Sequence, residues 1–412
     1  MHQRLAACCG CGTLDVRVCL VSTTYRPRTG GLETHVVTLA QALAAQGHQV
    51  TILTNRDSQT EPVRGLEDGV IVLRAGALLA GLSGQQTVPW EVALFGLLSD
   101  VEELLGAESF DVVHTHTQAA LLLAALAGLH HRAPLVASFH ETQPETEPCG
   151  PSRSRLIVGG LAPDLVLAGS DAFAVQAVGL GVPAARVRVV HHGLPVGAPV
   201  RPHRMQARRL LARSCAVPAD GILITLVGRF KERKGQRRLV EAYQLMGTRT
   251  QVRLLLVGSC NSADVGYLDL VRADLARLGC QDRVSVLESC PDPVRDLAWA
   301  ASDIATQPST LEGLGLACVE AMFAGLPVVA TDTDGLREVV SAATGLLVDT
   351  SDPRTYAQAL DSLVTAPDRR AQLGAAGRAR AMKAFSVERA VEQTLTVYRE
   401  AAVRWRVDRA VG

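Results

Sequence analysis

The alternation of short apolar runs with helical segments along the whole chain most narrows what it can fold into. Val16–Val21, Val50–Thr54, Val70–Leu73, Val112–His114, Leu135–Phe139, Leu165–Ala168 and Val187–Val190 read as strands of a first half. Ile222–Val227, Val252–Val257, Val284–Leu287, Ile304–Thr306, Val328–Ala330 and a short Leu346–Val348 repeat the pattern in a second half. Apolar strands separated by helices imply parallel sheets covered on both faces, so the pattern predicts an α/β fold of two doubly wound units. At 412 residues the chain is too long for one ordinary core, which agrees with two domains. The Gly- and Pro-dense stretch His191–Val200 reads as the linker between them. Ligands of open parallel sheets bind beyond the carboxyl ends of the strands, so the two sheets are expected to face a cleft.

Composition removes several functional classes. Formal net charge is zero, so no global field favours nucleic acid or an anionic membrane. The ten cysteines lack metal spacing except near the start, where Cys8, Cys9 and Cys11 have no evident fourth ligand. Residues 1–14 are expected to be a flexible tail too brief for a signal-peptide core, and no later apolar run reaches membrane-spanning length. The expectation is a cytoplasmic protein with reduced thiols.

Two segments of the second half carry chemistry. Pro308-Ser309-Thr310-Leu311-Glu312-Gly313-Leu314-Gly315-Leu316 continues to Glu320, with glycines at 313 and 315 that let backbone approach a ligand and a helix start suited to a diphosphate. Glu312 and Glu320 are expected on roughly one helix face, about 12 Å apart along the axis, near the span of a nucleoside-sugar. Upstream, the strand Ile222–Val227 runs into Gly228-Arg229-Phe230-Lys231-Glu232-Arg233-Lys234-Gly235. Arg229 offers a planar fork and Lys234 a point charge, a combination that grips a diphosphate as its bond to sugar breaks.

Together these segments resemble family-four retaining glycosyltransferases of the GT-B fold, whose signatures include G-R-x4-K-G and P-S-x2-E-G-F-G-L-x4-E. The first half is similar too, in Thr29-Gly30-Gly31-Leu32-Glu33-Thr34-His35-Val36, Asp111-Val112-Val113-His114-Thr115-His116, Ser138-Phe139-His140 and Asp164–Ser170. The resemblance implies two Rossmann-like domains, an acceptor-side domain at 15–197 and a nucleotide-sugar-binding domain at 198–385, with a helix at 386–412 crossing back to the first. It implies a hexosyltransferase that retains anomeric configuration and needs no cofactor and no catalytic metal. Arg229 and Lys234 would stabilise the leaving diphosphate, Glu312 would orient the sugar and Glu320 would accept hydrogen bonds from the ribose diol. Gly30 and Gly31 would admit the phosphates, with Gly228, Gly313, Leu314, Gly315 and Leu316 completing donor binding, and His140 would bond a sugar hydroxyl. Glu33, His116 and Glu141 fall on the acceptor side. Leu314 stands where phenylalanine is common, Gly258-Ser259-Cys260 lacks a second glycine, and His192-Gly193-Leu194-Pro195 replaces Asn-Gly-Val-Asp.

Other patterns admit blander readings. His114 and His116 are expected to leave their strand on opposite sides and to serve structural and cleft-lining roles rather than bind metal. Asp332-Thr333-Asp334 follows a strand and reads as a turn or helix cap rather than a Mg²⁺ site. No histidine follows His203, so donor binding falls to Arg, Lys, Glu and backbone. The acidic stretch Glu141–Pro148 suits a small cationic acceptor or a solvated loop. An aminocyclitol such as 2-deoxystreptamine, glycosylated by UDP-N-acetylglucosamine in antibiotic biosynthesis, is one expectation for the acceptor; a lipid or inositol-type acceptor is the alternative. Arg201, Arg204, Arg208, Arg209 and Arg213 form either a solvated helix face or a membrane contact, the latter not favoured. A sugar-nucleotide 2-epimerase and a non-catalytic sugar-nucleotide binder are the readings from other classes.

Overall fold

The structure, a computed structural model, describes residues 15–411 apart from 29, 59, 77–89, 107, 141–149, 196–202, 216, 218–220, 261–264, 290 and 350–351. The tail 1–14 with its three cysteines, Glu141 and its acidic stretch, and residues 196–200 of the linker therefore lie outside the described residues. The chain forms two compact units, residues 1–193 with 387–412, and residues 194–386.

The first unit is built on an eight-stranded sheet of β1 (Arg17–Ser22), β2 (Gln49–Asn55), β3 (Arg64–Glu67), β4 (Val70–Ala75), β5 (Val112–Thr115), β6 (Leu135–Phe139), β7 (Leu165–Ala168) and β8 (Val187–Val189). Their order across the sheet is β3-β4-β2-β1-β5-β6-β7-β8. Every pairing is parallel except that of β3 with β4. Alternate residues feed separate cores: Val18, Leu20, Val50 and Ile52 on one face, Cys19, Val21 and Leu53 on the other. The helix Val387–Val411 belongs to this unit and adds Val391, Tyr398 and Ala401 to the first of these cores.

The edge strand β3 is absent from the sequence expectation. Its Arg-Gly-Leu-Glu run is too polar and too short to register as apolar, yet Asp68 and Gly69 both take positive φ, 50° and 82°. An Asp-Gly pair in that conformation turns a tight hairpin, and this signal was readable.

The second unit holds β9 (Ile222–Val227), β10 (Val252–Gly258), β11 (Val284–Glu288), β12 (Ile304–Gln307), β13 (Val328–Thr331) and β14 (Gly345–Val348). They are ordered β11-β10-β9-β12-β13-β14 and all are parallel. Leu223, Val227, Leu255 and Val257 face one core, while Ile224, Leu226, Leu254 and Leu256 face the other. Strand order reverses between β9 and β12 here, and between β1 and β5 in the first unit. Such reversals open crevices at the carboxyl ends of the strands.

The arginine-rich helix Arg204–Leu211 departs at Arg208 from both the solvated-face and the membrane-contact reading. Arg208 is buried, pairs with Asp303 and donates to the carbonyls of Ala301 at 3.0 Å and Gly221 at 3.1 Å. Arg204 binds the same carboxylate. Both guanidiniums are anchored in the protein, which leaves Arg209 and Arg213 exposed and Arg201 outside the described residues. Among the described residues no helix is long and apolar enough to cross a membrane.

Candidate active site

At the switch point of the second unit, β9 delivers Gly228 and Arg229 and β12 delivers the loop containing Glu312. The 3-10 turn Glu232–Lys234 is fastened to that loop: Thr310 N–H donates to Arg233 O at 2.9 Å and Arg233 Nη1 donates to Leu311 O at 2.9 Å. Gly235 is required where they meet. Its φ is +74°, and a Cβ there would lie 2.1 Å from Pro308 O.

Glu312 is 8 % exposed and thoroughly satisfied. Its Oε1 accepts from Lys234 Nζ at 2.5 Å, Ser309 Oγ at 2.8 Å and Gln307 Nε2 at 3.2 Å, and Arg233 Nη1 stands 3.8 Å from Oε2. Burial by itself raises the carboxyl's pKa, but the two cations and the hydrogen bonds from Lys234 and Ser309 outweigh it and hold Glu312 below its ordinary value. Arg233, Ser309 and Gln307 had no assigned role in the sequence reading. Lys234 is fixed by Glu312, whereas no ion pair forms on Arg229 among the described residues.

The expected helical relation of the two glutamates does not hold. The helix opens only at Leu316, capped by Gly315 in the left-handed region at φ +83°, so Glu312 sits in the preceding loop and only Glu320 is helical. A Cβ on Gly315 would meet Leu336 Cδ2 at 2.5 Å, and one on Gly335 would meet the carbonyl oxygens of Glu312 and Gly313 at 2.4 and 2.5 Å. Several of these glycines therefore serve close backbone packing. Leu314 is buried in the core and Leu316 packs against it, so both side chains serve packing. Glu320 Oε2 accepts from Trp299 Nε1 at 3.0 Å and lies 3.7 Å from Arg295 Nε, both side chains coming from the helix Asp292–Ala301. Asp332 and Asp334 both bind Arg337, at 2.5 and 3.0 Å, at the start of the helix Asp334–Val339.

The first unit's switch point is furnished differently. His116 follows β5, and its N–H donates to Val21 O of β1 at 2.9 Å. His35 comes from the helix Gly31–Ala45, His140 from the end of β6 and His192 from beyond β8. The ring centroids of His35, His116 and His140 lie 5.4 to 5.8 Å from one another, and His192 stacks on His35 at 3.9 Å. Burial drives all four imidazoles well below the ordinary histidine pKa, with neighbouring histidines pushing the same way, so they are neutral at pH 7. His114 lies beside His116 at a centroid distance of 4.1 Å, against the expectation of opposite sides. Residues i and i+2 of a strand share a face; it is neighbours in sequence that alternate. His114 is fully engaged, with Nδ1 at 2.8 Å from Tyr398 Oη and Nε2 at 2.8 Å from Ser138 Oγ, and burial lowers its pKa to about 3. A cavity of about 140 Å³ opens beside His116, Gln118, Ser138 and His140, and among the described residues no lysine or arginine lines it. Gly30 is extended rather than left-handed, and the space a Cβ would take there is filled by the Glu33 carboxylate, 2.4 Å away. In this conformation Gly30 makes room for Glu33 rather than for a phosphate.

Residues 29–197 match the family described as Glycosyltransferase Family 4, and residues 209–380 match the family described as Glycosyl transferases group 1. A D-inositol 3-phosphate glycosyltransferase of Xylanimonas cellulosilytica is 31% identical over 430 residues, spanning 95% of this chain and 99% of the relative. The chain is a family-four glycosyltransferase of the GT-B fold. A second relative of this transferase, the D-inositol 3-phosphate glycosyltransferase of Nocardioides sp., is 32% identical across 92% of this chain and 86% of its own. Among solved structures, the sucrose-phosphate synthase of Thermosynechococcus elongatus superposes with a TM-score of 0.80 at 21% identity, covering 93% of this chain and 98% of its own. An Anabaena protein in complex with UDP and glucose superposes at 0.75 with 23% identity, covering 92% and 98%. At such identities these two likenesses speak for the fold of the transferase.

Proposed function

We propose that this transferase moves N-acetylglucosamine from its UDP-linked donor to a hydroxyl of a cyclitol, with retention of anomeric configuration. The observation that carries the reading is the buried Lys234–Glu312 pair at the β9/β12 switch point, next to Arg229, which forms no ion pair among the described residues. The cyclitol class is supported by relatives named for D-inositol 3-phosphate and by a cavity that presents His116, Gln118, Ser138 and His140 among apolar side chains.

In the proposed reaction the acceptor oxygen bonds to the anomeric carbon on the face from which the diphosphate departs. The carbon–oxygen bond to the diphosphate breaks, and the departing phosphate oxygen takes the acceptor's proton. Lys234 keeps two N–H donors beyond its bond to Glu312, and these with the Arg229 fork meet the charge that grows on the leaving group. Glu312 orients sugar hydroxyls through Oε2, and Glu320, steadied by Trp299, accepts from the ribose diol. His140 and His116, neutral at pH 7, exchange hydrogen bonds with hydroxyls of the bound sugar and acceptor.

Incubation with UDP-N-acetylglucosamine and three acceptors, D-inositol 3-phosphate, 2-deoxystreptamine and an anionic lipid, tests the reading. The expected result is a cyclitol product whose anomeric proton coupling matches the donor's configuration. Transfer to lipid alone, or an inverted product, would overturn it.

A further inference from the structure

The first unit holds a histidine cluster in which hydrogen bonding leaves several ring nitrogens unexplained. His116 is fully buried, yet among the described residues neither of its ring nitrogens has a hydrogen-bond partner; the same is true of both ring nitrogens of His140 and of His192 Nε2. Burying such groups without a partner is costly, and a fold that keeps several of them together is arranged for something that supplies the missing contacts.

The geometry selects among candidates. One nitrogen each from His35, His116 and His140 lies within 4.8 Å of the other two. A zinc ion bonded to imidazole nitrogen at about 2.0–2.1 Å sits about 3.2 Å from each ring centre, so tetrahedral angles place the ring centres about 5.2 Å apart. The three centroid separations are 5.5, 5.4 and 5.8 Å, an almost regular triangle of that size. The nitrogens, now within 4.8 Å of one another, have to close to about 3.4 Å, while the ring centres already stand near the required spacing. Each imidazole offers a ring nitrogen whose lone pair can bind a metal. His114 is excluded as a ligand because Tyr398 and Ser138 occupy both of its nitrogens.

We propose that His35, His116 and His140 form a binding site for one divalent ion of the zinc class. Three histidines leave a fourth position open, either to a solvent or acceptor oxygen or to His192, whose ring centre is 4.9 Å from that of His140. Neutral imidazole with no carboxylate among the three ligands favours zinc, cobalt, nickel or copper over magnesium or calcium, which take oxygen ligands. The site goes beyond the proposed transfer reaction and does not depend on it. Where that reaction holds as well, an ion on His140 occupies the lone pair that would accept from a sugar hydroxyl, so zinc acts as an inhibitor.

The test uses the full chain with Cys8, Cys9 and Cys11 changed to serine, stripped of metal with a chelator and titrated with Co²⁺ and then Zn²⁺ without donor or acceptor. One equivalent of Co²⁺ is expected to give the visible bands of a four-coordinate ion, displaced by Zn²⁺. H116Q and H35Q are each expected to weaken binding at least tenfold, while H131Q, at the exposed His131, leaves it unchanged. Zinc should raise the Tm of the parent chain and not that of a folded H116Q chain. Absence of a stoichiometric ion in the parent chain, or binding that H116Q and H35Q both leave intact, overturns the proposal. A parent chain that binds no metal but still transfers sugar would remove the ion site and leave the catalytic reading standing.

Discussion

The two switch points of this transferase solve opposite electrostatic problems. In the second unit a carboxylate is buried with its charge intact because Lys234, Arg233, Ser309 and Gln307 surround it, so the site is satisfied before any ligand arrives. In the first unit four imidazoles are buried neutral, and among the described residues His116 and His140 have no hydrogen-bond partner on either nitrogen. A region that completes its own hydrogen bonding is preorganised for a charged group that changes during reaction. A region that leaves bonds unmade gains them from what binds, so its polar groups act in recognition.

The sharpest way to break this contrast is to remove one partner from the charged site. Lys234→Met leaves a buried carboxylate with Arg233 at 3.8 Å as its nearest remaining cation, and is expected to lower kcat/KM by about 10²–10³. The same change should cost about 2–4 kcal/mol of stability, because the charge left behind is uncompensated. His140→Ala, by contrast, should lower kcat/KM about tenfold, in line with one lost hydrogen bond to a neutral hydroxyl. Steady-state kinetics with urea unfolding separates the two, and equal losses at both sites would end the comparison.

Acid sharpens the contrast further. For His35, His116, His140 and His192 the folded pKa is depressed, so below the unfolded value near 6.5 the unfolded chain binds more protons and stability falls as pH drops. For Glu312 the folded pKa is depressed below 4.5, so its contribution is complete above 4.5 and is lost only as pH falls through the folded value. Hydrogen exchange followed by peptide mass analysis should show amide protection in the first unit declining between pH 6.5 and 5 while the second unit keeps its own. Simultaneous loss in both units would mean that the histidines do not set the acid response.

Much of this was legible in the sequence, and the failures are instructive. Thirteen of the fourteen strands found among the described residues announced themselves as apolar runs, because strands of a parallel sheet covered by helices hold few polar residues. The fourteenth, β3, is an exposed edge where that constraint is absent, and only its Asp68-Gly69 turn betrayed it. Lys234 and Glu312 were readable because each lies in a segment of dense chemistry, but their mutual bond joins residues 78 apart and no local spacing encodes it. The helix thought to carry both glutamates starts four residues late, since Gly315 caps it in a conformation that the letters alone do not fix. The histidine cluster was missed for a similar reason. His35, His116, His140 and His192 come from four separate segments, and only strand order brings them together.

A smaller effect probes how Glu320 is held. Trp299→Phe keeps the ring in the core but removes the Nε1–H that donates to Glu320 Oε2. The cost in stability should be about 1 kcal/mol, and KM for the donor should rise several-fold with kcat little changed, as expected for lost ground-state binding. An unchanged KM would place Glu320 outside the donor site.

The smallest effect is expected at Asp332 and Asp334, whose carboxylates face solvent and hold Arg337. Exposed ion pairs contribute little, because water screens them and ordering the long side chains has an entropic cost. Arg337→Gln should therefore leave both the Tm and kcat/KM within measurement error of the parent. It also exposes the two carboxylates as a potential ion site, so the assay is repeated with added Mg²⁺ and with chelator. If these acids belong to the helix start alone, Mg²⁺ changes nothing in either protein. If the variant becomes Mg²⁺-dependent, the charged chemistry of the second unit extends beyond the Lys234–Glu312 centre, and the division between a self-satisfied site and a ligand-awaiting one has to be redrawn.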